Sequence, residues 1–165
     1  MVIEWKLYFY DALRYDRDVF DDSKRTLGLD IGTKRTGVAI ADETLTLASP
    51  LSLIEANSPK EWIGKVLNFL KDYSVDKIIV GIPLNQDGEE GVDAKRIRNY
   101  IALLREKVNY PVIEWDERFT TAQAERTLIS ADMSRKNRKQ VIDKIAASIM
   151  LQSYLDRLRF EKESL

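Results

Sequence analysis

The spacing of apolar and polar residues changes period several times along the chain, and each change marks an element. Thr26 to Ile31 is a short apolar run, Gly32 to Arg35 a turn, and Thr36 to Ala41 a second apolar run, which together predict two strands. A third strand is expected from Leu47 to Ile54. Ser58, Pro59 and Glu61 then announce a helix: serine caps, proline suits the first turn, and glutamate three residues after the serine completes a capping box. That helix should reach about Tyr73. Val75 to Ile82 carries Ile78, Ile79 and Val80 in succession, the near-continuous apolar reading of a strand buried on both faces. Beyond a loop with Pro83, Gly88 and Gly91, the spacing of Ile97, Ile101, Leu104 and Val108 predicts a helix, and Val112 to Trp115 a strand. Two helices should close the chain. One starts near Thr120 or Thr121 and ends near Ala131; the other has Val141, Ile142, Ile145, Ile149 and Leu155 on its buried stripe.

Three strands followed by alternating helices and strands predict an α/β domain, a mixed five-stranded sheet with helices on both faces. The domain should span residues 26–158, with 159–165 as a short tail. Residues 1–25 read as an N-terminal extension, aromatic-rich and acidic, in which the alternation of Ile3, Trp5, Leu7 and Phe9 suits an added edge strand. A chain of 165 residues has room for one substantial core. No apolar run approaches the roughly 20 residues that span a bilayer, so no membrane partner is expected and the expected location is the cytoplasm.

Composition narrows the chemistry. The chain has no cysteine and no histidine, which excludes disulfides, thiolate or imidazole zinc sites and every nucleophile–histidine pair. Carboxylates remain, and as hard oxygen ligands they suit Mg2+ or Mn2+. The 26 basic and 27 acidic residues nearly cancel, so a polyanionic partner has to be argued from local clusters.

Three clusters stand out. Asp30 lies at the end of a buried strand, ahead of Gly32 and the cations Lys34 and Arg35; a buried carboxylate needs a metal, a cation or hydrogen bonds, and the cations can meet phosphate oxygens. The same segment also fits a hairpin whose aspartate caps the turn. Asp116, Glu117, Arg118, Thr120 and Thr121 gather at a strand end and helix start, where anions and ligands bind in open sheets. Simple helix capping by the threonines is the alternative. Arg135, Lys136, Arg138 and Lys139 form a basic loop leading into the helix of Asp143, with Ala146 and Ala147 small enough to let that helix approach the sheet. A solvated charged face is the plain alternative for those cations. The loop from Gly81 to Gly88 reads as a rigid strand-to-helix connection or as a reader of substrate backbone.

Four segments in this order, Leu27 to Ala39, Val80 to Gly88, Asp116 to Thr121 and Lys139 to Leu155, resemble the YqgF family, also called RuvX or Holliday junction resolvase-like proteins. The resemblance covers about Thr26 to Leu158. It implies a ribonuclease H-like fold and a nuclease acting on structured nucleic acid, either at the 5′ end of pre-16S ribosomal RNA, the favoured reading, or on branched DNA as a Holliday junction resolvase. It also implies Asp30, Glu117 and Asp143 as the catalytic, metal-binding acids. In contrast to RuvC-type resolvases, Ile82 and Pro83 close the central strand where an acid is expected, so Glu117 on the next strand has to substitute. The extension ahead of Thr26 also departs from the family.

On this reading Asp30 bridges two Mg2+ or Mn2+ ions, Glu117 and Asp143 each hold one side, and Asp116 is a reserve ligand. Lys34, Arg35, Arg118, Arg135, Lys136, Arg138 and Lys139 hold the substrate backbone, which makes shape rather than base sequence the basis of selection. Two other classes compete. Actin-like and sugar-kinase ATPases share the Asp-x-Gly-Thr turn but close two such domains around a nucleotide, for which this chain lacks length. A non-catalytic RNA- or protein-binding module would need the basic cluster but not the acids.

Overall fold

The computed structural model describes residues 24–85, 89–117 and 134–164, and of 135–144 the backbone only. The described strands are β1 (Arg25–Ile31), β2 (Arg35–Ala41), β3 (Ala48–Glu55), β4 (Val75–Ile82) and β5 (Val112–Asp116); the described helices are α1 (Pro59–Asp72), α2 (Val92–Lys107) and α3 (Arg135–Glu163). The sheet order is β3-β2-β1-β4-β5. β1, β2 and β3 form an antiparallel meander, and β4 and β5 add parallel to β1. This mixed five-stranded sheet with helices on both faces is the ribonuclease H-like arrangement expected from the sequence.

Alternation along β1 divides the molecule into two cores. Leu27, Leu29 and Ile31 join Val38, Ile40, Ile78, Val80 and Ile82 beneath α1 and α2, which contribute Trp62, Val66, Ile97, Ile101 and Leu104. Both expected capping residues act at the start of α1: Ser58 Oγ accepts from the Glu61 amide at 3.2 Å, while Glu61 accepts from the Asn57 amide at 2.9 Å, one residue before the amide that a capping box uses. Trp62 then donates its indole N–H to Thr36 Oγ1 at 2.9 Å, so its polar end is satisfied inside the core.

The other face is built for close approach. Ala39, Ala41 and Ile79 pack against Ala147, Met150, Leu151, Tyr154, Leu155 and Leu158 of α3. A Cβ added to Gly28 would fall 2.9 Å from Leu151 Cβ, and one added to Gly37 3.2 Å from Ala147 Cβ. Because Gly37 lies nearer the end of β1 than Gly28 does, α3 runs with its N-terminal half toward the end of the sheet where β1, β4 and β5 finish.

Ends of β1, β2, β3 and β5 shift by one residue from the expected ones, and α3 differs more. β1 starts at Arg25, whose amide bonds Ser74 O at 2.8 Å. α3 continues through Glu163, so residues 159–163 are helical. The expected basic loop is instead the beginning of α3, which starts at Arg135. The physical reason is local: Arg135 to Gln140 contains neither glycine nor proline, its arginines, lysines and glutamine favour helix, and Ser134 before it is of a capping type. The expected edge strand near Ile3 to Phe9 and the helix near Thr120 to Ala131 lie outside the described residues. Among the described residues no helix is long and apolar enough to cross a membrane.

Candidate active site

Strands β1, β4 and β5 are parallel, so their C-terminal ends meet at one end of the sheet, where Asp30 and Glu117, two of the three expected acids, come together. Asp30 is the penultimate residue of β1 and pairs with Gly37 of β2. The pleat puts it on the same face as Gly28, the face covered by α3. On the other side of β1, Leu29 pairs with Val80, which brings Gly81 to the next rung beside Asp30. Asp30 is therefore flanked by glycine on both neighbouring strands, and no side chain from either crowds its carboxylate.

Glu117 fills part of that space. β5 ends at Asp116 opposite Ile82, and the Glu117 amide then bonds Ile82 O at 3.2 Å, extending the ladder by one step. Its side chain lies across the Gly81 backbone so closely that a Cβ on Gly81 would sit 1.7 Å from Glu117 Oε1. There it hydrogen-bonds the Asp30 carboxyl. Burial, then the Asp30 charge and that hydrogen bond, then the Asp116 charge, push the Glu117 carboxyl up to about 8. Near neutral pH the two carboxyls thus hold a proton between them. An acid held protonated by a neighbouring acid in a glycine-lined recess is the electrostatic state that a multivalent cation relieves.

The third expected acid, Asp143, occupies the position in α3 four residues before Ala147, one helical turn closer to the end of the sheet that carries Asp30. Its side chain lies outside the described residues. Among the described residues no group of three or more acids is assembled to hold a metal.

Of the expected substrate-binding cations, Lys34 and Arg35 lie at this end of the sheet, in and after the β1–β2 turn, and both are exposed. Arg35 Nε donates to Glu55 on the adjacent strand at 2.7 Å. The turn is closed by the Gly32 amide bonding Arg35 O at 2.9 Å; a Cβ on Gly32 would come within 2.7 Å of that same oxygen, so the position requires glycine. Arg118 and the side chains of Arg135, Lys136, Arg138 and Lys139 lie outside the described residues. One cation here escaped the sequence reading. Arg96 of α2 reaches the end of β1 and donates to Gly32 O at 3.1 Å and Ile31 O at 3.4 Å. Its only sequence signal is an arginine beside the buried stripe of Ala94, Ile97, Ile101 and Leu104, a pattern that many exposed arginines share.

A family model described as RuvX, Holliday junction resolvase, matches residues 24–157. The chain belongs to the RuvX family. Among its relatives, a protein of Bacillus cytotoxicus named "Putative pre-16S rRNA nuclease" is 51% identical over 134 residues, 80% of this chain and 98% of the relative. Proteins with the same name from Bacillus cereus (strain B4264) and Caldanaerobacter subterraneus subsp. tengcongensis are each 48% identical, over 81% and 80% of this chain and 98% and 96% of theirs. Solved structures with a similar trace include the fowlpox virus resolvase with Holliday junction DNA, at 19% identity, a TM-score of 0.46 and coverage of 81% and 98% of the two chains. T. thermophilus RuvC with a Holliday junction substrate aligns at 14% identity, a TM-score of 0.48 and coverage of 82% and 96%. The RuvX match begins one residue before β1 and ends within α3, so it contains the positions of Asp30, Glu117 and Asp143 and leaves residues 1–23 outside.

Proposed function

We propose that this chain is a metal-dependent nuclease that hydrolyses phosphodiester bonds in structured nucleic acid in the cytoplasm, maturing the 5′ end of pre-16S ribosomal RNA. Membership of the RuvX family and relatives of about half identity named for that activity support the nuclease class. The observation that carries the site assignment is the half-buried contact between Asp30 and Glu117, where desolvation and the neighbouring charge raise the affinity of Glu117 for a proton.

The donor set fits a hard cation. Asp30, Glu117 and Asp143, with Asp116 in reserve, would be the residues to hold Mg2+ or Mn2+. A metal held there would supply Lewis acidity toward a phosphoryl oxygen and an activated water. The chain's own residues bind and orient. Asp30 and Glu117, which share a proton near neutral pH, would offer full negative charge to a bound cation once that proton is lost. Lys34, Arg35, Arg118 and the cations opening α3, Arg135, Lys136, Arg138 and Lys139, hold the phosphates on either side of the scissile bond. Gly37 and Gly81 leave room beside Asp30 for Ala147 of α3 and for the Glu117 carboxyl. Selection then follows the shape of the folded strand rather than base identity.

A second reading, resolution of four-way DNA junctions, is favoured by the description of the matching family model. One experiment compares them: cleavage of a precursor-16S fragment, plain duplex, single strand and a four-way junction in Mg2+ and in Mn2+. Site-specific cuts in the precursor support the first reading, and paired symmetrical cuts in the junction the second. Binding without any cut in either metal would leave a non-catalytic module and refute both.

A further inference from the structure

The end of β1 raises a problem of backbone accounting. The β1–β2 connection is only Gly32, Thr33 and Lys34, and the carbonyls of Ile31 and Gly32 stand at its start, just after Asp30. Strand-end carbonyls in such a place usually bond water and leave the turn free to breathe. Here a residue 64 positions away in sequence supplies the donors. Arg96 Nη1 donates to Gly32 O at 3.1 Å and Nη2 to Ile31 O at 3.4 Å, while Asp93 Oδ1, one helical turn earlier, accepts from Nε and Nη2 at 3.4 Å. The guanidinium is planar with donors in a fixed fork, so contacts to two successive carbonyls define the orientation of that peptide as well as its position. The Arg96 side chain is 30% exposed, so these bonds are partly shielded from competing water.

We infer that Arg96 is a positioning residue: from α2 it fixes the two carbonyls after Asp30 and so sets the turn that presents Lys34 and Arg35 to the substrate backbone. The claim rests on the nuclease reading above for what the turn presents its cations to, but the fixing of the turn does not depend on it. The Arg96 guanidinium bonds the two backbone carbonyls and Asp93. Its effect should therefore appear in substrate binding rather than in the chemical step.

The test compares the full chain with Arg96→Ala and Arg96→Lys in three measurements. Hydrogen exchange of the peptide covering residues 31–36 should speed up by about tenfold in Arg96→Ala, the loss of roughly 1.4 kcal/mol of charged hydrogen bonding, while the other strands keep their protection. Affinity for a precursor-16S fragment in Ca2+ should fall by a similar factor of about ten, with KM rising accordingly and kcat changing less than about threefold. Arg96→Lys keeps the charge but loses the planar fork, so it should show intermediate exchange and intermediate affinity with an unchanged salt slope. Wild-type exchange in Arg96→Ala overturns the inference. Faster exchange everywhere with a lowered melting temperature assigns Arg96 to general stability, and faster turn exchange with unaltered affinity removes the link to substrate; each of these also overturns it. If Arg96→Lys matches wild type in all three measurements, only charge matters and the positioning role is refuted. Should the wild-type protein cut no nucleic acid in any metal, the nuclease reading fails, while exchange still decides whether Arg96 holds the turn.

Discussion

Two carboxylates at opposite ends of the sheet have been given opposite environments. Asp42 follows β2 and accepts from the amides of Thr46 at 2.7 Å and Leu47 at 2.9 Å and from the Thr44 hydroxyl at 2.7 Å, with the Leu47 bond the largest of the effects that hold its carboxyl below the usual range. The chain folds a complete hydrogen-bonding shell around it. Glu117, at the far end, is half-buried against Asp30 with Asp116 nearby, and desolvation and both charges raise its proton affinity. The first arrangement is what folding selects for an acid that only shapes a loop. The second opposes folding, and a protein retains such a conflict where a ligand relieves it.

Removing a charge at the conflicted end should have the largest effect on activity. Asp30→Asn and Glu117→Gln keep size and lose a charged ligand, so each should reduce cleavage by about 10^3-fold or more while nucleic-acid affinity in Ca2+ stays near wild type. Asp116→Asn should be much milder. A wild-type rate in Asp30→Asn would break the assignment, and a more severe loss from Asp116→Asn than from Glu117→Gln would show the second ligand to be Asp116. Gly81→Ala comes next. The added methyl occupies the position of Glu117 Oε1, so the carboxyl must move, and cleavage should fall by about tenfold to a hundredfold with destabilisation of only about 1–3 kcal/mol. An active Gly81→Ala enzyme would mean that the contact of Glu117 with Asp30 is dispensable.

The two ends should also answer pH with opposite signs. The folded state holds the Glu117 proton up to about pH 8, whereas the unfolded chain releases it near 4.5. The folded state is therefore the better proton binder in between, and its stability in EDTA should fall as pH rises from about 4.5 to about 8. Glu117→Gln should flatten that slope, and saturating Mg2+ should oppose it by stabilising the charged pair. Asp42 acts the other way: its contribution is present above its ordinary value of 3.8 and is lost as pH falls through its lowered one. Urea unfolding at a series of pH values, with and without Mg2+, reads both limbs. A metal-free protein that gains stability between pH 5 and 8, with the gain absent in Glu117→Gln, would reverse the account of the pair.

Much of this was legible in the sequence, and the limits have physical causes. The order and type of the described strands follow from runs such as Ile78 to Val80, because a strand covered on both sides has no polar face to disguise it. Asp30 and Glu117 were legible as acids at strand ends. Their contact was not, because it depends on a register that brings Gly81 beside Asp30, and the sequence alone does not contain the pairing of β1 with β4. Arg96 was hidden for the same reason, since nothing around it in sequence points to carbonyls 64 and 65 residues away. The basic run ahead of Asp143 was read as a loop from its charge, whereas backbone propensity governs and makes it the start of α3.

The smallest effect belongs to the satisfied end, and it is the control on the comparison. Asp42→Ala removes the acceptor for two amides and a hydroxyl and leaves them to water, because Thr44, Thr46 and Leu47 are on the surface. Exposure limits the loss, since water replaces most of what the carboxylate gave, and about 1 kcal/mol of stability is expected rather than the sum of three bonds. The loop should not come apart, because α3 holds it independently: Gln152 accepts from the Ala48 amide at 2.8 Å and donates to Thr46 O at 3.0 Å, and Arg159 donates to the same oxygen at 3.2 Å. Cleavage should be unchanged, as the loop lies at the opposite end of β2 from the turn next to Asp30. A lowered urea midpoint at constant m-value, with wild-type kcat and KM, is the expected result. If Asp42→Ala slowed cleavage by tenfold while the protein stayed folded, the two ends would be coupled through β2 or α3, and the division between a structural carboxylate and a functional pair would not hold.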